Sequence, residues 1–178
     1  MLRFSVFFFS LALSAGCFGQ KYVATQSDVS FFSHATIEDI TADNTKSSAI
    51  FDSSTGSIAF VIPISEFRFA KALMQEHFNE RYLETEKFPK ATFQGKLDGY
   101  QHSTTGRQNV TAIGKLNIHG VTKDVSIPGT VVKQDNKILM KSKFIIKLVD
   151  YKVTIPKLMW QKIAEQVEVS TDFTLDPQ

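Results

Sequence analysis

The chain is organised by an alternation of apolar and polar residues, which is clearest near the C-terminus. Residues 167, 169, 171, 173 and 175 are Val, Val, Thr, Phe and Leu, while Glu, Ser, Asp, Thr and Asp follow them in turn. A strand with one face on a core and one face in water requires this period of two. The other predicted strands cover residues 21–25, 29–35, 47–52, 57–63, 91–100, 112–118, 121–131 and 140–148.

Short turns connect these predicted strands. Residues 52–56, 119–120 and 134–136 supply the Asp, Asn and Gly that tight hairpins prefer. Strands joined mainly by short loops favour an up-and-down antiparallel sheet, and closing such a sheet removes its exposed edges. We therefore predict an all-β fold, an antiparallel β-barrel of about eight strands.

Two segments break the alternation and predict helices. From Ser65 to Leu83 the apolar residues recur three and four apart, which predicts a helix over about residues 66–82. Ser65 is suited to cap it. Residues 156–166 form a shorter candidate that begins with a proline, which is favoured in the first turn of a helix. Because a closed sheet needs few helices, we expect both to lie near a barrel mouth.

The first 19 residues have the composition of a secretory signal peptide. Arg3 is their only charge, and the apolar or small run from Phe4 to Gly16 is shorter than the roughly 18 residues that span a bilayer. Cleavage after Gly19 would leave a single domain, residues 20–178, in the periplasm or secreted. Alternatively, the residues before Cys17 resemble a bacterial lipobox, and acylation of Cys17 would anchor a lipoprotein to the membrane.

Charge and motif content argue against several classes of function. The 20 Lys and Arg nearly balance the 18 Asp and Glu, so the basic excess typical of nucleic-acid-binding proteins is missing. His34, His77, His102 and His119 lack metal-ligand spacing, and Cys17 is the only cysteine, so we predict no metal and no cofactor. The loop positions of His102 and His119 predict solvated side chains. No nucleophile–base pair can be named, which argues against an enzyme.

Three motifs resemble those of the YceI-like family, whose members are also called polyisoprenoid-binding proteins. They are HFNERYLETEKFPKATF at residues 77–93, GKLNIHGVTKDVSIP at 114–128 and FIIKLVDYKVTIP at 144–156. They occur in the family's order and spacing between about residues 21 and 175. The resemblance implies an extended lipocalin-like barrel with an apolar lumen, in a periplasmic or secreted protein. It also implies that the barrel holds a long isoprenoid or another amphipathic lipid without catalysis.

The inward-facing apolar residues are the candidates for lining that lumen: Phe60, Phe69, Leu73, Phe78, Phe93, Leu116, Ile118, Ile127, Phe144, Ile146, Leu148 and Phe173. The pattern does not distinguish a hollow lumen from a packed one, because both require inward apolar residues. Two functions therefore stay open. The first is a carrier of a long-chain lipid, and the second is a filled barrel that acts through its surface as an envelope interaction or stress-response module.

Arg81 lies within the first motif, near the end of the predicted helix. A guanidinium at a barrel mouth can bind the phosphate or carboxylate head of an amphipathic lipid through two parallel hydrogen bonds. The alternative role for Arg81 is an ion pair with Glu80 or Glu84.

Overall fold

The structure, a computed structural model, describes residues 20–34, 39–155 and 164–178. Ten strands form one antiparallel sheet. The strands are β1 Lys21–Ser33, β2 Ile40–Asn44, β3 Ser48–Asp52, β4 Ser57–Pro63, β5 Arg68–Phe69, β6 Lys90–Asp98, β7 Gly106–Ile118, β8 Val121–Gln134, β9 Lys137–Lys147 and β10 Gln166–Pro177. The helix α1, Ala72–His77, continues as a π-helical turn over Phe78–Tyr82, and single 3-10 turns cover Ile64–Glu66 and Leu148–Tyr151.

The sheet closes into a barrel because β1 pairs along both of its edges. One edge pairs with β10, and the other pairs with β3 near the start of β1 and with β2 near its end. The closed circuit is β1-β10-β9-β8-β7-β6-β4-β3, which confirms the predicted antiparallel barrel of eight strands. The remaining strands, β2 and β5, extend the sheet beside the end of β1.

β1 is one strand where the sequence predicts two. Its pairing with β10 shifts register between Ala24 and Gln26, and the hydroxyl of Thr25, the residue between them, donates to Asp176 Oδ2 at 2.7 Å. This bulge inserts one residue and reverses the phase of the alternation, so Tyr22 and Val29 both face the core. In sequence, the change of phase looks like the end of a strand. Residue 35, the predicted end, lies outside the described residues.

The prediction of a helix over residues 66–82 is correct only in its second part. Phe67 follows a single 3-10 turn in extended conformation, and Phe69 lies in β5, which pairs with β2. Two residues apart in an extended chain, Phe67 and Phe69 can face the same side, and both line the barrel interior. Helical geometry begins only at Ala72. Most of the shorter helix predicted at 156–166 lies outside the described residues, and its last residue, Gln166, starts β10.

The two ends of the barrel are built differently. One end carries the turns at 53–56, 99–105 and 135–136, and we call it the closed end. Four fully buried side chains pack there, Tyr22, Phe51, Ile138 and Leu175. The other end, the helix end, carries α1, the turn between β7 and β8, and the 3-10 turn that follows β9. Among the residues that the structure describes, the large apolar side chains that are fully buried therefore cluster toward the closed end.

β6 and β7 approach one another closely at a pair of glycines. Gly95 and Gly114 are direct partners in the ladder, and a Cβ added to either would overlap backbone atoms of the opposite strand. Glycine is required at both positions because no flexible side chain can move aside to make room.

Candidate functional site

An apolar cavity of about 340 Å³ occupies the helix end of the barrel. Strands β1, β7, β9 and β10 form much of its wall, and the helix and the turn after β9 cover it. Its apolar lining residues are Val29, Phe31, Ile40, Ile62, Ile64, Phe67, Phe69, Met74, Phe78, Leu83, Ala91, Leu116, Ile118, Phe144, Ile146, Leu148, Val153, Val167 and Val169.

Four phenylalanines join the helix to the barrel wall beside this cavity. Phe31 on β1 lies 5.4 Å from Phe67, 5.7 Å from Phe69 and 5.6 Å from Phe78, measured between ring centroids. Phe78 also contacts the other two rings. Phe31 and Phe78 are stacked and the other ring pairs are tilted or edge-on, which are favourable arrangements for aromatic contacts. The π-helical turn is thereby fastened over the cavity through Phe78.

The polar side chains that line this cavity are few. They are Ser33, His77, Tyr82, Tyr151 and Thr171, and no Lys, Arg, Asp or Glu of the described residues lines it. Burial raises the pKa of the Tyr82 and Tyr151 hydroxyls, so both keep their protons at neutral pH. The cavity can therefore surround an apolar chain and offer hydroxyl groups, and the described part of its wall holds no Lys or Arg to neutralise an anion.

A second cavity of about 100 Å³ lies deeper in the barrel. It shares four lining residues with the first cavity, Ile62, Leu116, Phe144 and Thr171, and these form a waist between the two. Its other lining residues are Ile58, Phe60, Phe93, Leu97, Val110, Ala112, Ile127, Gly129, Thr130, Val131, Met140, Lys141, Ser142 and Phe173. The lumen is thus hollow from the helix end to below the waist and packed at the closed end.

The structure brings eleven of the twelve predicted lumen residues to these cavities. Those that line the first cavity alone are Phe69, Phe78, Ile118, Ile146 and Leu148; those that line the second alone are Phe60, Phe93, Ile127 and Phe173; Leu116 and Phe144 line both.

Leu73 is the exception, because it lines neither cavity and is 60% exposed. Its predicted position assumed a helix continuous from about residue 66. Leu73 lies in the first turn of the shorter helix, and Met74 and Phe78 face the cavity from this segment.

Several lining residues, among them Phe31 and Tyr151, are not among the twelve predicted from the sequence. Phe31 follows the alternation of β1 and could have been found from that pattern. Tyr151 could not, because it lies in a 3-10 turn that ends at the left-handed residue Lys152, where no periodic pattern applies.

Arg81, the predicted head-group residue, is exposed and lines neither cavity. It follows the lining residues His77 and Phe78 on the same helical segment and precedes Tyr82. No hydrogen bond or ion pair joins Arg81 to another described residue, so the alternative role in an ion pair with Glu80 or Glu84 is not seen. Arg81 is therefore next to lining residues in the chain, with its own side chain in water.

His119 is not solvated, contrary to the prediction. Its side chain is only 10% exposed, with Nδ1 3.2 Å from the Tyr151 carbonyl oxygen and Nε2 3.0 Å from Glu84 Oε2. Glu84 Oε2 accepts a hydrogen bond from this ring, and the Tyr151 carbonyl oxygen lies against its other nitrogen. The ring also packs edge-on against Phe88 at 4.5 Å. His119 therefore joins the β7–β8 turn to the loop after the helix and to the turn that carries Tyr151.

The Glu84 carboxylate makes this junction sensitive to acid. Hydrogen bonds from Lys87 and from His119 hold its pKa below the ordinary 4.5. A lowered pKa in the folded state means that the stabilisation is present above the ordinary pKa and is lost as the pH falls through the lowered one.

We expect Glu84→Gln to lower the melting temperature at neutral pH, and the difference from the native protein to shrink in acid as Glu84 becomes protonated. Thermal unfolding followed by circular dichroism over this pH range measures the effect. Glu86→Gln, on the same loop and exposed, is the control and should behave like the native protein. A difference for Glu84→Gln that stays constant down to acid pH would contradict the assigned role.

The family model of the YceI-like domain matches residues 21–175. The chain belongs to the YceI-like family. Each of its three sequence motifs contributes residues that line the first cavity, among them Phe78, Leu116 and Phe144. A search of curated protein sequences gives no significant match.

Solved structures share the fold of this YceI-like chain. A polyisoprenoid-binding domain from Saccharophagus degradans, implicated in plant cell wall breakdown, has a TM-score of 0.77 at 18% identity, covering 90% of this chain and 99% of that one. BcnA of Burkholderia cenocepacia has a TM-score of 0.70 at 22% identity, covering 83% and 95%. The YceI protein of Campylobacter jejuni has a TM-score of 0.61 at 19% identity, covering 82% and 88%. At these identities the likeness establishes the fold.

Two further observations apply to residues 20–34, 39–155 and 164–178. In these ranges no three or more His, Cys, Asp or Glu side chains lie together as a metal site would require. No helix among them is long and apolar enough to cross a membrane. The predicted signal peptide, residues 1–19, and the lipidation candidate Cys17 lie outside the described residues.

Proposed function

We propose that this YceI-like protein binds a long-chain apolar or amphipathic lipid of polyisoprenoid type in its barrel lumen and catalyses no reaction. The observation that carries the proposal is the apolar cavity at the helix end, which shares four lining residues at the waist with a second, deeper one. A cavity with an apolar wall, a few hydroxyl groups and, among the described residues, no lining Lys, Arg, Asp or Glu suits an apolar chain. The Saccharophagus degradans domain of the same fold, named for binding polyisoprenoids, supports this assignment.

The position of Arg81 suits an amphipathic ligand. With the apolar chain in the lumen, a phosphate or carboxylate head would stay at the rim, where Arg81 is exposed and has free donors for two hydrogen bonds. Keeping the charged head in water avoids the cost of burying it without a partner. A filled barrel that acts through its surface is less consistent with the hollow helix end.

Native mass spectrometry of the protein purified from the cells that produce it tests the proposal. We expect an added mass of a hydrophobic molecule that organic solvent extracts and that tandem spectra identify as a long-chain lipid. A protein that carries no lipid and takes up none from lipid vesicles would overturn the proposal.

A pair of neighbouring substitutions makes this test specific to the lumen. Ile146 lines the first cavity, whereas Ile145, the preceding residue on β9, faces outward and is 53% exposed. We expect Ile146→Glu to abolish bound lipid, because a carboxylate in the apolar lumen is costly to desolvate. Ile145→Glu should keep the lipid. Circular dichroism of both variants confirms that they fold, and equal lipid content in two folded variants would contradict a lumen site.

For the location of the protein, we propose export and removal of residues 1–19, which leaves residues 20–178 in the periplasm or outside the cell. The composition of these residues supports the proposal. The N-terminal mass of the exported protein tests it: a chain starting at Gln20 supports cleavage, and an acylated Cys17 supports the membrane-anchored alternative. A chain that keeps Met1 contradicts both.

A further inference from the structure

The barrel wall is split between β8 and β9 at the helix end. The ladder between these strands starts at the pair Gly129–Ser142 and runs from there only toward the closed end. Among the described strands, residues 121–128 of β8 pair only with β7, and residues 143–147 of β9 pair only with β10. We call this unpaired stretch the β8–β9 split.

Specific contacts mark both limits of the β8–β9 split. At its inner limit Pro128 has no N–H to offer a ladder, and Ser142 Oγ donates to the Pro128 carbonyl oxygen at 2.7 Å. At its outer limit Lys123 Nζ on β8 lies 3.1 Å from Asp150 Oδ1, in the turn that follows β9. Both side chains of this ion pair are partly exposed, at 41% and 45%. An ion pair in water contributes little stability and opens readily.

Both cavities reach the β8–β9 split from inside. Phe144 and Ile146, which border it on β9, line the first cavity, and Ile127, which borders it on β8, lines the second. Lys141 points outward and is exposed, yet it too lines the second cavity. The second cavity therefore extends into the wall at the inner limit of the split.

We propose that the β8–β9 split is the lateral portal through which the apolar chain of the ligand passes between the lumen and its surroundings, with the Lys123–Asp150 pair as its latch. The inference rests on the proposed lipid-binding function. A chain that moves sideways through the split leaves the helix and its four-phenylalanine attachment in place. Backbone groups that no ladder satisfies also make this part of the wall easier to open than its paired neighbours.

A cross-link across the β8–β9 split tests the portal. Ser126 and Ile145 would face each other if the register continued, and both are exposed. They are replaced by cysteine and joined with a short bifunctional thiol reagent that reductant cleaves, in a chain where Cys17→Ser removes the only native cysteine. The control joins cysteines at Val132 and Leu139, which are partners in the paired part of the same strands.

The measured quantity is the rate at which the protein takes up a pyrene-labelled long-chain alcohol from phosphatidylcholine vesicles. We expect the cross-link at 126 and 145 to slow uptake about tenfold or more, and reductant to restore it. The control cross-link should leave the rate unchanged. Uptake that is equally fast with the split cross-linked would overturn the portal and favour access past the helix. If the native protein takes up no alcohol, the proposed function fails instead.

A substitution at the latch gives a second test, in which the uptake rate should rise, whereas the cross-link should lower it. Lys123→Met should raise the uptake rate about two- to fivefold, the factor to which an exposed ion pair corresponds. The control is Lys115→Met, which removes the 2.9 Å ion pair with Asp124 across the paired strands β7 and β8. An unchanged rate for Lys123→Met, or an equal rise for both variants, would overturn the assignment of the latch.

Discussion

Phe51→Ala will lower the free energy of unfolding by about 3–5 kcal/mol, and Phe144→Ala will lower that of the lipid-free protein by clearly less. Phe51 is fully buried at the closed end, where its ring packs edge-on against Tyr100 at 5.1 Å and also contacts Tyr22. Its removal leaves a new void among packed side chains. Phe144 already borders two cavities, so its removal enlarges a space that exists.

Denaturant unfolding of the lipid-free proteins measures both changes, and native mass spectrometry of the loaded proteins adds a second readout. Because Phe144 is part of the waist, Phe144→Ala should join the two cavities and admit a longer chain, so the bound lipid should change in amount or length. If Phe144→Ala lowered the free energy of unfolding as much as Phe51→Ala and left the lipid content unchanged, this side of the barrel would have a structural role only.

Gly114→Ala will destabilise the barrel by about 3 kcal/mol or more, although it adds a single methyl group. The new Cβ would overlap the backbone of β6 at Gln94 and Gly95. Since backbone atoms cannot rotate aside, β6 and β7 must separate, and the ladder between them weakens.

Gly106→Ala is the matched control on the same strand. A Cβ at Gly106 meets nothing within 4 Å, and only its positive φ of 82° opposes the change. We expect a loss of about 1 kcal/mol from this backbone strain. Thermal or denaturant unfolding measures the stability of the two variants. If both lost the same free energy of unfolding, the close approach of β6 and β7 would not be the reason that position 114 requires glycine.

The barrel itself could be predicted because alternation records which side chains face inward. The hollow part could not, since Leu116 and Phe51 alternate in the same way although one lines two cavities and the other is packed. The difference depends on which residues lie opposite across the lumen, and sequence spacing does not contain that information. The shifted start of the helix, which exposes Leu73, similarly depends on the extended Phe67 and Phe69 beside Phe31.

The β8–β9 split was equally invisible in the sequence. Apart from Lys123 and Ile145, the alternation continues through residues 121–131 and 140–148, because inward and outward facing does not depend on whether a strand has a partner. Only Pro128 indicates a gap, since a proline within a strand is tolerated where no ladder needs its N–H. The role of His119 was missed for a related reason. Glu84 and Tyr151, its partners, are each more than 30 residues away in the chain.

Because the barrel is packed at the closed end and hollow at the helix end, the two ends of the same strands are under different evolutionary constraints. Substitutions at the closed end must preserve a packed core, and most changes of volume there are penalised. Around the cavity at the helix end, side chains such as Val169 and Ile146 border empty space, so they can change size with little effect on folding. Members of one family can therefore diverge in ligand while they keep the same barrel, and this protein is a scaffold whose lumen can be redesigned from one end.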